Sequence, residues 1–545
     1  MAAVIKPEHG LDDSSEDIST NPTDSRSFTE VATEHLSRRT VLQGTLAAAA
    51  TGFFAPAPGH AHGLGRALAP GQDNKPLLGF KPLTIKKATK ALGQTITVSP
   101  NYEYQVLIPW GTPINPNSGI APYEGDPQKR PTSLEQEQMI GIGHDGMWFF
   151  PSNLPGVLAT EAQQGRELPA DHRRRALDSR AGMLCINHEF GTNFHVLGKD
   201  KPESLEEVRR SQAAHGVSVV AIAESWRGKW EVVPSMNSRR VTGNTEVAFS
   251  GPVAGSPLLM NAAGNPPQGT LNNCGSGPTP WGTYLTCEEN FNGYFGTDAT
   301  AIGEFDALQD DAYVRYGFSR DGFEYFWHLF DPRFDLANPD YANESNRFGW
   351  CVEIDPFNST KTPVKRTALG RFKHEAAAIK ELDDGRIAVY MGDDQRGDYC
   401  YKYESNGPWR NYIAAGMSPL DDGKLYVARF DGATELDKGD GKGTGEWIEL
   451  TYTDSRISGA GLDTQDKVLT YARLAADAVG ATPMDRPEWS TIGTQGQVNW
   501  TLTNNNRKDD GQGELGEANP IFENTDGYII ETTDTSATEF EWSLF

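Results

Sequence analysis

The chain reads as a closed all-β array, and a β-propeller fits its 545 residues. Three observations carry this. Beyond residue 217, apolar strands of roughly four to seven residues recur between turns rich in Gly, Asp and Asn. Two stretches resemble each other: Asp383-Asp384-Gly385 precedes the strand expected at 386–391, and Asp421-Asp422-Gly423 precedes the one at 424–430. Short strands with loose self-similarity mark a radial β architecture. Finally, no Pro/Ser-rich linker divides the chain after residue 63, so 63–545 is expected to be one domain and 1–62 a leader.

Taken in order, residues 1–36 are polar and acidic with no apolar period, which predicts disorder. Ser37-Arg38-Arg39-Thr40-Val41-Leu42 then leads into an apolar run at 46–55, too short and too rich in Ala and Gly to span a bilayer. Paired arginines before a mild apolar segment form the pattern of a twin-arginine export signal, with Gly59 and Ala61 at the small-residue positions before a cut. The expectation is export by the twin-arginine machinery, which carries folded and cofactor-loaded proteins, to the periplasm or the medium without stable membrane insertion. Strands are expected at 95–98, at 104–110 and in the aromatic run 147–150, which follows a turn containing His144 and Asp145. The basic run 172–175 reads as a loop or short helix, 184–190 as a strand, 204–214 as a helix, and 217–223 and 230–233 as strands. Helical excursions follow at 305–313 and 466–479.

A formal charge of −25 argues against nucleic acid or an anionic membrane surface as partner, since both are polyanions. The five cysteines, at 185, 274, 287, 351 and 400, form no C-x-x-C pair, and an odd number leaves one unpaired. Eleven histidines show no paired zinc spacing, and no zincin helix, nucleophile elbow, Walker loop or dinucleotide fingerprint is present. What recurs is carboxylate plus amide oxygen, with a thiol. On a strand, Cys185, Asn187 and Glu189 share one face, offering soft sulfur beside hard oxygen, although a buried inert cysteine is the competing reading. Cys274 and Cys287 flank a turn-rich segment and are able to close a disulfide loop there; Cys287 and Glu289 fall on one strand face, Glu288 on the other. Arg371, Lys373 and Glu375 would share a face in a strand at 369–376. Asp393 and Asp394 sit beside glycine at a strand end, a setting for a hard cation or a plain acidic turn. Asp485, Arg486 and Glu488 stand beside prolines, which limits their directions.

These segments together resemble the PhoX-type alkaline phosphatases. The matching pieces run in order: L-C-I-N-H-E at 184–189, T-P-W-G-T-Y-L-T-C-E-E-N at 279–290, G-R-F-K-H-E at 370–375, G-D-D-Q-R-G-D-Y at 392–399 and M-D-R-P-E-W at 484–489, behind the twin-arginine leader. The resemblance implies a six-bladed β-propeller with helical excursions and long loops, monomeric and exported, acting as a metal-dependent phosphoric monoester hydrolase. It implies two ferric ions and two or three calcium ions. On that pattern Cys185 is the bridging thiolate, Glu289 and Glu375 are iron or calcium carboxylates with Glu288 the alternative to Glu289, and Asp485 is a further acid. Asn187, Glu189, Asn193 and the pair Asp393/Asp394 are the remaining metal candidates. Lys373 stands where the resemblance leads one to expect an arginine for phosphate, giving charge without the bidentate fork. Lys467 and Arg486 are the candidates for a second cation. A phosphodiesterase or phytase-like propeller, and a non-catalytic calcium-stabilised binding propeller, are the competing expectations.

Overall fold

A computed structural model describes residues 96, 98, 99, 102–303, 305–431, 441–508, 511 and 513–545; the leader and its twin-arginine stretch lie outside the described residues, and the strand expected at 95–98 does so in part. Residues 108–545 form one compact unit. The first sheet is antiparallel: β1 (His144–Pro151), β2 (Ala181–His188), β3 (Gly216–Glu224) and β4 (Trp230–Val232) lie side by side, and β5 (Arg239–Val241) also pairs with β3. The run Val217-Ser218-Val219-Val220-Ala221-Ile222 is buried throughout, as a central strand covered on both faces requires. The second sheet holds β6 (Ala248–Ser250), β7 (Asn273–Pro278), β8 (Tyr284–Glu288), β9 (Cys351–Ile354) and β10 (Val364–Arg366) in the order β6-β10-β9-β8-β7.

The strands that follow are β11 (Ala378–Glu381), β12 (Ile387–Gly392), β13 (Arg396–Asp398), β14 (Cys400–Ser405), β15 (Gly423–Asp431), β16 (Lys442–Glu449), β17 (Met484–Asp485), β18 (Pro487–Ile492), β19 (Val498–Leu502), β20 (Tyr528–Asp534) and β21 (Glu539–Leu544). β13 and β17 pair with each other, and the other nine form one sheet in the order β11-β12-β14-β15-β16-β21-β20-β19-β18. That sheet curls until its far edge returns to its start, where the Ser490 hydroxyl of β18 donates to the Tyr390 carbonyl of β12 at 2.9 Å. The result is β-dominated, with a nearly closed nine-stranded sheet.

Helices cover the sheets where the sequence has the right period. Ala472, Ala475, Ala476 and Val479 form a buried stripe on the helix Ala472–Val479. The helix Leu205–Ala214 is capped by Ser204, whose hydroxyl accepts from the Glu207 N–H. Two expected strands are absent. Residues 104–110 pair with no sheet: Tyr104 and Val106 are more than half exposed, so this segment has no buried face to hold it. Residues 370–377 run irregularly after a tight turn at Thr367–Leu369 and form no strand, meeting β structure through the bridge His374–Asp393 and single backbone bonds from the His374 N–H to Glu288 and the Glu375 N–H to Gly392. Arg371 therefore does not share a face with Lys373 and Glu375. It is buried between the rings of Phe291 and Tyr316 and donates to the carbonyls of Ser345 and Phe348. The Cys274–Cys287 disulfide is absent as well, and all five cysteines are free.

Candidate metal centre

Antiparallel pairing gathers the acids. His144 at the start of β1 lies opposite His188 at the end of β2, which brings Asp145 and Glu189 to one edge of the first sheet. In the second sheet Asn273 lies opposite Glu288, so Cys274 and Glu289 also reach one edge, and the Glu289 N–H bonds the Asn272 carbonyl at 2.9 Å. Two glycines then let further chain segments close in. A Cβ at Gly275 would stand 1.5 Å from the Glu375 carbonyl oxygen, so only glycine admits residue 375 beside Cys274. A Cβ at Gly392 would stand 2.2 Å from the Pro487 carbonyl, and its absence brings Asp394 beside Arg486 and Glu488.

The segments enclose a cavity of about 290 Å³ walled by Asp145, Glu189, Cys274, Glu289, Glu375, Asp394, Arg486 and Glu488, with Phe190, Asn272 and Asn290. The Cys274 thiol is 2.9 Å from Asp145 Oδ2 and 2.7 Å from Glu375 Oε1. Three groups of donor atoms lie within 4.8 Å of one another: Asp145–Cys274–Glu375, Glu189–Cys274–Glu289 and Glu289–Glu375–Asp394. Cys274 belongs to two of them. Asn290 Nδ2 donates to Glu289 Oε2 at 2.6 Å, fixing that carboxylate's rotation. Arg486 holds Asp394 through two hydrogen bonds of 3.0 and 2.7 Å and reaches Glu488 at 3.0 Å. Its backbone has φ of +56°, and so does not follow the strand course on either side.

Six carboxylates and a thiol thus face one guanidinium. Burial, then the charges of Glu289, Asp394, Glu488 and Glu189, pushes the Glu375 carboxyl well above the usual range. Burial also raises Asp145, and it lifts Glu189 to about 7 with help from the Asp145 charge. The Cys274 thiol is raised by burial and then by Glu375, Glu189, Asp145 and Glu289. A buried cluster of one sign is held together by protons or by cations, and the thiol–carboxylate donor set fits cations.

The family model of alkaline phosphatase PhoX matches residues 78–545. The chain belongs to the PhoX alkaline phosphatases. Among solved structures, Pseudomonas fluorescens PhoX in complex with vanadate, a transition state analogue, is 41% identical, with a TM-score of 0.70 over 82% of this chain and 73% of that one. No curated protein matches. The protein is a phosphatase that hydrolyses phosphate esters.

Of the residues expected in the PhoX site, Glu189, Glu289, Glu375, Asp394 and Arg486 meet in the cavity wall, and the others stand elsewhere. Cys185 is fully buried among Phe150, Met183, Val217, Val219 and Val352, and burial raises its thiol far above the ordinary range. The reading that made it the metal-bridging thiolate is corrected by position: its face of β2 looks into the core. Asn187 has both amide atoms committed, donating to the Cys274 and Gly275 carbonyls and accepting from Tyr284 and Thr286. Asn193 donates to the carbonyls of Asp200, Glu324 and Tyr325. Glu288 is buried in an ion pair with Lys365 at 2.7 Å and accepts the N–H groups of Gly349 and Trp350. Asp393 is clamped by the buried Arg473, and Asp485 by Lys508 at 2.7 Å with Asn524. Lys467 pairs on the surface with Asp463, one helical turn away, outside the cavity wall. Lys373 is buried and outside that wall too, although its carbonyl accepts the Asp394 N–H and its N–H donates to Asp393.

In the sequence Cys274 reads as a loop-closing cysteine, Asp145 as a turn residue and Glu488 as an acid beside a proline, and the structure brings all three into the cavity wall. The usable signal was Asn273-Cys274-Gly275: a thiol beside a glycine that lets another backbone approach.

Proposed function

We propose that the phosphatase is a metal-dependent phosphomonoesterase whose cations are held at this cavity, with Cys274 as the shared thiolate. The observation that carries it is the membership of Cys274 in two of the three donor groups, while the third is all oxygen. Thiolate with carboxylate suits iron, and an all-carboxylate group suits calcium, so two ferric ions about Cys274 and calcium at Glu289–Glu375–Asp394 is the assignment the donor chemistry supports. When bound, such cations supply Lewis acidity toward phosphate oxygens and a water made nucleophilic near neutral pH.

The chain's own groups do the rest. Asn290 sets the orientation of Glu289, and the backbone contact at Gly275 holds residue 375 beside Cys274. Arg486 orients Asp394 and puts a fixed positive charge on the cavity wall, where the non-bridging oxygens of a phosphate gain most from it. Lys373, tied through its backbone to Asp393 and Asp394, is kept as the second basic group. Glu488 balances the Arg486 charge at the cavity. The vanadate carried by the Pseudomonas fluorescens protein is a phosphoryl-transfer mimic, which supports the same chemistry here.

Export by the twin-arginine route, a periplasmic or secreted location, a monomeric state and a single catalytic domain over 63–545 belong to the same proposal. The Arg38-Arg39 leader supports the export and location, the compact unit over 108–545 supports the single domain, and no helix among the described residues is long and apolar enough to cross a membrane. The six-bladed propeller also stands as a proposal, supported by the family likeness and the largely antiparallel pairing of the strands. The test is an assay on p-nitrophenyl phosphate after metal stripping, with calcium and ferric iron added back singly and together, beside bis-p-nitrophenyl phosphate as diester control. Activity indifferent to chelation, full activity in Cys274→Ala, or preference for the diester would overturn the proposal.

A further inference from the structure

Two of the cysteines outside the cavity face each other. Cys287 ends the apolar part of β8, Cys351 opens β9, and the antiparallel register sets them directly opposite. Facing residues in such a pair have Cα atoms about 4.5 or 5.5 Å apart, inside the range of about 4.4–6.8 Å that a disulfide spans. Both side chains are fully buried, and their thiols lie within hydrogen-bonding reach. His374 completes the group, with Nδ1 3.4 Å from the Cys351 sulfur and Nε2 bonded to the Gly370 carbonyl. Neither cysteine lines the cavity, but Cys287 stands two residues before Glu289 and His374 one residue before Glu375, both in its wall.

We infer that Cys287 and Cys351 are an oxidation site that closes to a cross-strand disulfide joining β8 to β9. With hydrogen peroxide as oxidant the step balances. One thiol is oxidised to a sulfenic acid with release of water, and the second thiol displaces hydroxide from that sulfur, forming the S–S bond and a second water. Hydrogen peroxide is the class of oxidant here because the pair is fully buried, which excludes docking of a protein disulfide on it. The other cysteines have no such partner: Cys185 and Cys400 sit in separate apolar clusters, and Cys274 faces carboxylates. The bond would close the loop from 287 to 351 and pin the end of β8, which carries Glu289, to the start of β9.

The test is peptide mapping of the full-length protein under non-reducing conditions, before and after hydrogen peroxide, with free thiols alkylated on denaturation. The expected result is a 287–351 cross-linked peptide that disappears on reduction and is absent in Cys351→Val. A rise in Tm of about 4 °C, reversed by reductant, should accompany it in the wild type and not in the variant. Alkylation of both cysteines after oxidation, a link from either to Cys185, Cys274 or Cys400, or sulfonic acid at 287 or 351 without a link would each overturn the inference. Because the readout is a covalent bond, it does not depend on the metal assignment.

Discussion

Replacing Glu375 by Gln should act with opposite sign on the metal-free and the metal-loaded protein, which makes it the sharpest probe of the cluster. One oxygen of Glu375 lies within 4.8 Å of ligand atoms of Asp145, or of Glu289 and Asp394. At that spacing two unit charges repel by about 3.5 kcal/mol at an effective dielectric of about 20, so full ionisation beside three neighbours costs roughly 10 kcal/mol. Protonation is the lesser penalty. Holding a carboxyl of ordinary pKa about 4.3 neutral costs about 1.4 kcal/mol per pH unit, hence about 4 kcal/mol at pH 7 and about 1 kcal/mol at pH 5. The sign follows from the direction of the shift: the folded-state pKa lies above the unfolded one. The penalty is therefore absent below about pH 4 and grows as pH rises toward the folded pKa. Glutamine has no proton to lose. Metal-free Glu375→Gln should exceed metal-free wild type in stability by up to about 4 kcal/mol at pH 7 and about 1 kcal/mol at pH 5, measured by urea unfolding after chelation. Loaded with metal, the same variant should lose at least about 100-fold in kcat and bind metal more weakly. A stability gain that does not grow between those pH values, or wild-type turnover in the loaded variant, would refute the reasoning.

The remaining predictions follow from placement. Cys274→Ser should abolish phosphatase activity and any iron–thiolate absorption band, whereas Cys185→Ala should keep both and lose only about 1–2 kcal/mol of stability from the core. Asn272, with φ of +49°, accepts the Asn290 N–H at 2.6 Å and donates to the Glu189 carbonyl, so it ties two ligand segments together. Asn272→Ala should lower kcat by about 10–100-fold, and Asn272→Gly, which tolerates the backbone but lacks the amide, should not restore it. Lys365→Met should destabilise the fold by about 3–5 kcal/mol by stranding Glu288, and adding Glu288→Gln should recover much of the loss without changing turnover per folded molecule. Lys467→Ala should leave kcat and KM at wild-type values, since its surface pair is worth about 0.3–0.5 kcal/mol.

Which segments build the site was legible in the sequence; which side chain in each segment reaches it was less so. Alternation along 184–190 put Cys185 and Glu189 on one face, but β2 ends at His188, and Glu189 turns out of the strand's phase. Cys185 obeys the alternation and goes to the core. Glu289 likewise stands one residue past β8, while Glu288, still within the strand, is drawn into the buried pair with Lys365. Asp394 faces the cavity because it lies beyond β12, and its neighbour Asp393 turns back to Arg473. Cys274 was hidden for another reason. Its companions Glu375 and Asp145 are about one hundred or more residues away in sequence, and only the backbone contact at Gly275 brings the first of them near. No periodicity encodes such a contact.

The same geometry explains how a chain of charge −25 handles an anionic substrate. Without cations the cavity would repel a phosphate dianion, since one guanidinium, itself shared between Asp394 and Glu488, faces six carboxylates. Each cation bound there would reverse part of that field, so metal binding and phosphate binding would be linked, each raising the affinity for the other by the same factor. The acids are then not a cost that the enzyme tolerates at its site. They exclude anions from the metal-free protein, and they make the loaded cavity the place on an acidic surface where a phosphate ester gains by being buried.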